Sequence, residues 1–513
     1  MNHQYIRIAP NFRADILFAI LIGFGTLALY IRTLAPSLLW GDSAEFQTLS
    51  YTLGMTHPSG YMTQIILGKL FTYIPLGNIA YRVNLMSAFF GALAVAQVYL
   101  IVRMLGGWPI AGISSCLMLA LSELFWRRAL VAESYSIAAS MVATIWLLFL
   151  SWQVTQNRGY LFAAGLVGGL SMGIHSTVLM TTVSVLVIMA MTTRKRADWT
   201  GATAGALFGI GLTFLFFLYL DQHDPPSSIY NAVYRSSLSA IGLTTNDFDT
   251  PLERFFAIFP AQHFWDYYFT ASPEEVSRRL VEYLSFYPAW AVIFILIGIF
   301  ALFKKAWHNG LYSLIAFLIV WGFAVTVAFS VYQEFYTPAA IFVYVWFGLG
   351  ASIILEQIFQ KKQVGTRVLQ IVSSILLMAL PLWQSRRDLN LAITSGYTTF
   401  VRRDHIYPIF APDKAIHDAM KITNRIEDDA IVFADWDKLY SYIYTAHIEQ
   451  GRTGMAFHEA WITDNPSLAQ TTLAYIDANI DVRPIYFTVF MPELTELYQV
   501  QQINATLYRI RRK

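Results

Sequence analysis

The sequence predicts an α-helical polytopic membrane protein that carries a small C-terminal α/β domain. Its composition predicts this class, because 56% of the 513 residues are hydrophobic and only 13% are charged. The mean hydropathy is +0.48. A soluble domain is about 25% charged, and so few charges cannot cover a surface that faces water. The net charge of +2 gives no electrostatic reason to expect a nucleic-acid partner.

Apolar stretches along the chain predict about eleven membrane-spanning helices, each of which needs about 20 mostly apolar residues. The division at 175–177 is the weakest, because only His175, Ser176 and Thr177 interrupt the apolar run 160–191. The first stretch ends without a small-residue cleavage site, so we expect a retained span rather than a signal peptide. The predicted spans are 16–34, 83–102, 109–125, 133–152, 159–175, 177–192, 201–220, 288–303, 311–331, 337–356 and 368–383.

Basic residues predict the orientation of these spans, because Lys and Arg are enriched in short cytoplasmic loops. With eleven spans and a cytoplasmic N-terminus, the short outer loops hold little beyond Arg127 and Arg128. The sequence therefore predicts a multi-pass protein of the plasma (inner) membrane with an extracytoplasmic C-terminus. The basic residues of the inner face are then Arg7, Arg13, Arg103, Arg158, Arg194, Lys195, Arg196, Lys304, Lys305, Lys361, Lys362 and Arg367.

The polar segments predict two domains. Residues 1–383 form a transmembrane domain whose outer side holds the loops 35–82, 125–132 and 221–287. Residues 384–513 are long enough for an extracytoplasmic domain, and their alternation of strand-like and helical stretches predicts an α/β fold. The strand-like runs are 430–434, 483–490 and 505–510, and the helical stretches are 413–425 and 467–479.

Glycines recur at four-residue spacing in two of the predicted spans. One set is Gly165, Gly169 and Gly173, and the other is Gly201, Gly205 and Gly209. Small residues at this spacing let two helices approach closely. We therefore interpret both sets as packing faces rather than sites.

Asp42 and Glu45 begin a predicted helix in the first outer loop. Gly41-Asp42-Ser43 is typical of a helix start, with Asp42 or Ser43 as the N-cap. The three-residue spacing places the carboxylates of Asp42 and Glu45 on one helix face, close to Trp40. A carboxylate there can take a proton from a hydroxyl nucleophile if burial raises its basicity. Capping and catalysis remain equal alternatives at this point.

A turn and an amphipathic helix follow in the same loop. Pro58 and Gly60 predict a rigid turn that holds His57 and Tyr61 in fixed directions. The apolar spacing over 62–75 predicts a helix in the membrane interface. Lys69 lies within this helix and Arg82 follows it. Both side chains either snorkel toward lipid headgroups or bind an anion.

The second short outer loop contains two arginines that break the charge rule. Arg127 and Arg128 lie close to Glu133, which begins a predicted span, and to Tyr135. Arginine binds phosphate in a bidentate manner, so this loop predicts an anion site. The alternative is an ion pair between Arg128 and Glu133 that only holds the loop.

His175 and Glu334 lie at the outer ends of predicted spans, at the level of Asp42. A single histidine is more often a structural hydrogen-bonding group than a ligand. His57, His175, Glu45, Glu133 and Glu334 together offer the ligand types of a metal site. Their separations carry no metal-ligand spacing, so the sequence allows a divalent metal ion and requires no cofactor.

Three motifs resemble those of the GT-C membrane glycosyltransferases, in the branch that includes an animal transmembrane protein O-mannosyltransferase and many bacterial proteins. The resemblance covers roughly 10–383, is faint in 221–287, and extends to Ala430–Asp437 and Arg483–Tyr486. The motifs are Gly41-Asp42-Ser43-Ala44-Glu45-Phe46, His57-Pro58-Ser59-Gly60-Tyr61 and Val131-Ala132-Glu133-Ser134-Tyr135.

The resemblance implies an inverting transfer on the outer face from a polyprenyl-phosphate-linked sugar donor to a glycan, lipid or protein acceptor. Asp42 matches the acidic residue that acts as general base, and Glu133 matches the second acidic position. His57 matches a His-Pro motif near the donor phosphate. Many members have Pro after the Tyr that matches Tyr61, whereas this chain has Met62. No repeat tail of the animal type follows the spans, so protein O-mannosylation specifically is not implied.

The predicted site then combines these residues by role. The catalytic group is Asp42, Glu45 and Glu133. The phosphate-binding group is Arg127, Arg128, His57, Lys69 and Arg82, and the substrate-binding group is Trp40, Tyr61, Tyr135, His175 and Glu334. A phosphate leaving group is stabilised by cations or by a divalent metal ion.

Two other classes of function remain open. A transporter would show paired broken spans and internal repeats, and neither is visible in the sequence. A non-catalytic membrane scaffold that presents the C-terminal domain would leave Asp42 and the arginines replaceable.

Overall fold

The computed structural model of the protein describes residues 12–259, 261–359, 366–462 and 467–513. Of the basic residues predicted on the inner face, Arg7, Lys361 and Lys362 lie outside these ranges. The helices of the first half are α1 (Phe12–Arg32), α2 (Gly41–Thr52), α3 (Met62–Thr72), α4 (Ile79–Met104), α5 (Pro109–Ala120), α6 (Glu123–Trp126), α7 (Tyr135–Thr155), α8 (Gly159–Leu170), α9 (Ser176–Thr192), α10 (Arg196–His223), α11 (Arg235–Ser237) and α12 (Pro251–Ile258).

The second half continues with helices and a set of short strands. The helices are α13 (Pro273–Ser285), α14 (Ala289–Thr326), α15 (Tyr336–Phe359), α16 (Thr366–Gln384), α17 (Arg386–Ser395), α18 (Thr399–Arg403), α19 (Lys414–Thr423), α20 (Trp436–Ile443), α21 (Gln470–Asn479) and α22 (Pro492–Leu497). The strands are β1 (Ile431–Ala434), β2 (Ala456–Glu459), β3 (Ile485–Phe487), β4 (Gln499–Asn504) and β5 (Leu507–Arg511).

The chain forms two compact units, and each unit is assembled from separate stretches of sequence. The first unit comprises 1–34, 87–213 and 264–406, and the second comprises 35–86, 214–263 and 407–513. The second unit therefore joins the first outer loop to most of the C-terminal segment. The division of the chain into domains at residue 383 stays a prediction.

Long apolar helices make this a multi-pass membrane protein. In the described residues, seven helices are long and apolar enough to cross a membrane, or eight if the bent pair of 109–120 and 123–129 forms one span. The helices α8 and α9 fall at two further predicted spans but are shorter. The count of eleven, the choice of membrane and the orientation stay predictions.

The helix α14 covers two predicted spans and is broken between them. Ala306 has a non-helical backbone. The indole of Trp346 donates to Ser313 Oγ at 3.0 Å, and a Cβ at Gly298 would lie 1.7 Å from the Trp346 carbonyl oxygen. A straight helix would separate residues 298 and 313 by about 22 Å. The chain therefore turns back at Ala306, and both legs pack on α15.

Burial distinguishes the central helix of the first unit from its rim. In the most apolar 18-residue stretch of each span, 89% of the residues are buried in the span of α15, against 22% in α1 and 11% in α16. Apolar side chains that stay exposed on a membrane helix face lipid. We therefore interpret α15 as the packed centre of this unit and α1 and α16 as lipid-facing helices.

The predicted glycine faces pack α8 directly against α10. A Cβ at Gly205 would lie 1.9 Å from the carbonyl oxygen of Phe162, and one at Gly165 would lie 2.2 Å from that of Ala202. Neither distance leaves space for a methyl group. This close approach confirms the packing interpretation for Gly165 and Gly205.

We expect Gly205→Ala to lower the unfolding temperature of the purified protein, because the new methyl group would force two helix backbones apart. The cost of such overpacking is about 1–3 kcal/mol. Gly211→Ala is the matched control, since Gly211 lies on the same helix and has no atom within 4 Å of its Cβ position. Equal unfolding temperatures for the two variants would show that the two helices do not pack through Gly205.

The second unit contains a five-stranded sheet of order β2-β1-β3-β5-β4. The strands β1, β2 and β3 are parallel, and β5 is antiparallel to β3 and β4. The predicted strands at 430–434, 483–490 and 505–510 and the predicted helices at 413–425 and 467–479 all match observed elements. The strands β2 and β4 did not stand out in the sequence.

Polar and aromatic residues lie at the carboxyl ends of the parallel strands β1 and β2. The chain leaves β1 toward β2 on one side and returns to β3 on the other, and such a reversal opens a crevice at the carboxyl ends of the strands. Asp435 and Trp436 directly follow β1, while Glu459 ends β2 beside Ala434. The helix α20 starts here, and its Ser441 donates to the Leu39 carbonyl oxygen at 2.9 Å.

Candidate functional site

The first turn of α2 presents Asp42 on the surface of the second unit. The N-cap of α2 is Trp40, without a side-chain cap hydrogen bond, so the prediction of Asp42 or Ser43 as the N-cap was wrong. Gly41 begins the helix with φ of +56°, a conformation that glycine adopts without strain. The exposed carboxylate of Asp42 instead accepts a hydrogen bond from Trp436 Nε1 at 2.8 Å.

Glu45, one turn further, is fully buried and holds His57. Its Oε1 accepts from the backbone N–H of His57 at 2.7 Å, and its Oε2 is bonded to His57 Nδ1. Burial raises the pKa of Glu45, and the nearby His57 opposes that shift. The expected basicity depends on a buried carboxylate. In the structure the buried carboxylate is that of Glu45, while Asp42 is exposed.

Aromatic rings surround His57 and complete this group. Its ring centroid lies 5.0 Å from Tyr61 and 5.7 Å from Trp436. Phe46 lies 5.0 Å from Tyr61 in an edge-to-face arrangement. The predicted turn is present, because Gly60 N–H donates to the His57 carbonyl oxygen at 2.8 Å. Asp42, Glu45, His57, Tyr61 and Trp436 therefore form one group, which we call the α2 cluster.

Glu459 adds a third carboxyl group that the sequence did not point to. It is buried, and this burial, together with the negative charges of Glu45 and Asp435, raises its pKa to about 8 against the opposing effect of His57. It carries its proton at neutral pH as a result. Like Trp436, it comes from the C-terminal segment, and only the pairing of β2 with β1 brings it to the α2 cluster.

Lys69 and Arg82 bind backbone carbonyl groups in this structure. Lys69 Nζ donates to the Tyr51 carbonyl oxygen at 2.6 Å and lies 4.7 Å from the Tyr51 ring centroid. Arg82 donates to the carbonyl oxygens of Thr72, Leu76 and Gly77. These contacts hold the end of α3, and a phosphate role for the two residues stays a prediction.

The two arginines of the second short outer loop, Arg127 and Arg128, are both paired with carboxylates. Arg128 Nη1 lies 2.5 Å from Glu334 Oε1, a partner that is distant in sequence. Arg127 Nη1 donates to Asp404 Oδ2 at 3.0 Å. The pKa of Asp404 is lowered mainly by a hydrogen bond from Arg403 and to a smaller extent by the charge of Arg127. In the described part of the chain, Nε of Arg127 and Nε of Arg128 are buried without a hydrogen-bond partner.

His175, Tyr135 and Glu133 lie at or near the starts of α9 and α7 in the same unit. His175 is buried at the N-cap of α9, where Nδ1 accepts from the Thr177 backbone N–H at 3.2 Å. Its ring centroid lies 5.1 Å from that of Tyr135. The helix α7 begins at Tyr135 rather than at Glu133, whose backbone N–H donates to Ser87 Oγ at 3.3 Å.

The predicted metal ligands do not come together as one set. Within the ranges that the structure describes, no group of three or more His, Cys, Asp or Glu side chains is placed to hold a metal ion. Glu45 and His57 form a pair in the second unit, while Glu334 is paired with Arg128 in the first. A divalent metal ion therefore stays a prediction that chelation can test.

A polar cavity of about 440 Å³ lies elsewhere in the second unit. Its lining includes Asn231, Arg235, His458, Tyr475 and Arg483. Arg483 donates to the carbonyl oxygens of Ala430 and Gly454, so it holds the sheet together. None of the residues predicted for the site lines this cavity.

Comparison with known proteins bears on the identity of the chain. The family model described as the protein O-mannosyl-transferase TMEM260 N-terminal domain matches residues 42–198. The crystal structure of ArnT from Cupriavidus metallidurans bound to undecaprenyl phosphate superposes with a TM-score of 0.57, covering 96% of this chain and 97% of that one at 12% identity. The resemblance to the GT-C glycosyltransferases is confirmed.

Two curated relatives carry the same O-mannosyl-transferase name as the family model. The chain is 38% identical to Protein O-mannosyl-transferase TMEM260 of Mus musculus over 111 residues, which is 21% of this chain and 16% of that protein. It is 28% identical to the Dictyostelium discoideum protein over 149 residues, 28% of this chain and 18% of that protein. The matches thus span less than a fifth of either relative.

A second solved GT-C structure resembles the chain over most of its length. It is the Archaeoglobus fulgidus oligosaccharyltransferase tethered to an acceptor peptide with the NVT sequon, at a TM-score of 0.50 and 13% identity. The superposition covers 92% of this chain and 68% of that one. At such identities the likeness establishes the GT-C fold alone.

Proposed function

We propose that the protein is an inverting glycosyltransferase that moves a sugar from a polyprenyl-phosphate-linked donor to an acceptor hydroxyl at the outer face of the membrane. The observation that carries the proposal is the α2 cluster, in which Glu45 fixes His57 while Asp42 stays exposed beside it. An exposed carboxylate in a rigid setting is suited to accept a proton from an incoming hydroxyl. The acceptor is a glycan, a lipid or a protein.

A lipid-linked donor agrees with the composition of the chain. The described helices offer a multi-pass membrane setting, and the sequence contains no glycine-rich phosphate motif of the nucleotide-binding type. A donor that resides in the bilayer needs no such motif. The undecaprenyl phosphate in the ArnT structure is a ligand of this chemical kind.

The proposed reaction requires one base and one in-line attack. Asp42 accepts the proton of the acceptor hydroxyl, whose oxygen attacks the anomeric carbon of the sugar. The bond from that carbon to the phosphate oxygen breaks, and the polyprenyl phosphate leaves with the bonding electrons. Holding the hydroxyl in line with the leaving group removes an entropic cost from this step.

Arg127 and Arg128 are the proposed partners of the donor phosphate. Each guanidinium makes one ion pair with a carboxylate, and in the described residues each retains a buried Nε without a partner. Arginine binds phosphate more strongly than a single neutral donor does. The phosphate would compete with Glu334 and Asp404 for the two guanidinium groups.

We expect the double variant Arg127→Gln, Arg128→Gln to bind undecaprenyl phosphate at least about a hundredfold more weakly than the wild type, since two charge-assisted hydrogen bonds are lost. Binding of the radiolabelled lipid to purified protein measures this. The control is Arg403→Gln, which removes an exposed arginine that also contacts Asp404. Undiminished binding by a folded double variant would exclude the arginines as phosphate ligands.

The proposal is tested by sugar transfer with the full chain in detergent. Labelled polyprenyl-phosphate sugars, with mannose among them, are supplied with cell-envelope extract, with and without EDTA. Transfer to the extract is expected, and loss of transfer with EDTA would establish a metal requirement. A wild-type protein that neither transfers nor binds any donor would favour a transporter or a scaffold.

The proposed orientation places the N-terminus in the cytoplasm and the C-terminus outside the plasma (inner) membrane. A C-terminal reporter that is active only in the cytoplasm is expected to remain silent. An active reporter would reverse the orientation and place the α2 cluster away from an outer-face acceptor.

A further inference from the structure

We infer that Trp436 is a positioning residue for Asp42, which it holds in one orientation through the indole N–H. The inference rests on the proposed role of Asp42 as general base. It assigns a function in the reaction to the C-terminal segment, because Trp436 begins α20, separated from the end of β1 by one residue. The two residues are 394 positions apart in sequence.

The start of α2 leaves the Asp42 side chain available for this contact. The carboxylate does not cap α2, since the N-cap is Trp40 without a side-chain hydrogen bond. Trp436 Nε1 donates to Asp42 Oδ1 at 2.8 Å, a usual length for a hydrogen bond to a carboxylate. One such bond restricts an otherwise mobile exposed side chain and leaves Oδ2 to face an acceptor.

The indole ring of Trp436 is itself held in place. It packs at a ring-centroid distance of 5.7 Å against His57 and 5.6 Å against Tyr440, both edge-to-face. His57 is in turn fixed by Glu45. The orientation of Asp42 therefore depends on a continuous set of contacts from the buried Glu45 through His57 and the indole.

Several charged groups lie near Asp42, and a substitution of Trp436 can be chosen that leaves all of them unchanged. Glu45 lies on the same helix and His57 on the following loop. Asp437 Oδ1 lies 3.8 Å from the Cβ position of Gly41, and Asp435 is paired with Lys438. Trp436→Phe changes none of these charges and keeps an aromatic ring in place.

The contact is tested first without any substrate. With the 14 tryptophans labelled with ¹⁵N, Trp436→Phe identifies the indole signal of Trp436. That signal is expected to shift in Asp42→Ala, while the signal that Trp461→Phe identifies stays in place. An unmoved Trp436 signal would overturn the inference whatever the outcome of the transfer assay.

The functional role is tested by kinetics with a polyprenyl-phosphate sugar that the wild type accepts. Trp436→Phe is expected to lower kcat about tenfold with KM for the donor unchanged, because the Asp42 carboxylate loses the hydrogen bond that orients it. Trp461→Phe, whose ring packs on the sheet core, is the matched control. An unchanged kcat in Trp436→Phe would overturn the positioning role while leaving the proposed function intact.

Discussion

Asp42→Asn is expected to reduce sugar transfer by about 10²- to 10⁴-fold, the usual contribution of a general base. The amide has the size of the carboxylate, and its oxygen can still accept the hydrogen bond from Trp436. It cannot accept the proton of an acceptor hydroxyl. The loss should therefore appear in kcat, with donor binding preserved, when the variant is assayed beside the wild type in detergent.

The matched control for this variant is Asp437→Asn, which changes an exposed aspartate beside the same helix start. It is expected to retain nearly full transfer. Full activity of Asp42→Asn would show that Asp42 is not the base, and attention would pass to Glu45 and Glu459. Loss of activity in both variants would indicate an effect of local charge rather than proton transfer.

Short-range sequence patterns predicted individual strands and helix-packing faces, but they did not predict every strand of the sheet. The strands at β1, β3 and β5 and the glycine faces of α8 and α10 follow from short-range periodicity, and the structure contains them. The strand β2 ends in the polar residues His458 and Glu459, and parallel pairing with β1 holds it in the sheet. Such pairing between distant segments leaves no periodic signal in the sequence.

The candidate site shows the same limit at the level of single residues. The sequence indicated Asp42, Glu45 and the turn at His57 because they are close together along the chain. It weighed Glu133 as a partner of Arg128 for the same reason, and it gave no sign of the pair that Arg128 makes with the distant Glu334. Trp436 and Glu459 were missed because each reaches the α2 cluster only through the folding of the C-terminal segment.

Glu459 brings an expected dependence of stability on pH. Its pKa is about 8 in the folded protein, against about 4.3 in an unfolded chain. Between these values the folded state binds the proton and the unfolded state does not. The free energy of unfolding therefore falls as pH rises through this interval, by at most about 5 kcal/mol in total. The stabilisation is complete below pH ~4.3 and is lost above pH ~8.

This proton also keeps the α2 cluster intact, because two neighbouring buried carboxyl groups cannot both ionise cheaply. While Glu459 is neutral, Glu45 can serve as the acceptor for His57. We expect the unfolding temperature of the purified protein to fall between pH 6 and pH 9 and expect Glu459→Gln, which cannot ionise, to flatten that decline. The matched control is Glu496→Gln, at an exposed glutamate, and its unfolding temperature should decline with pH as that of the wild type does. If the unfolding temperature of Glu459→Gln declines as steeply as that of the wild type, the proton resides on another group. Glu459 would then not be the neutral partner that lets Glu45 accept from His57.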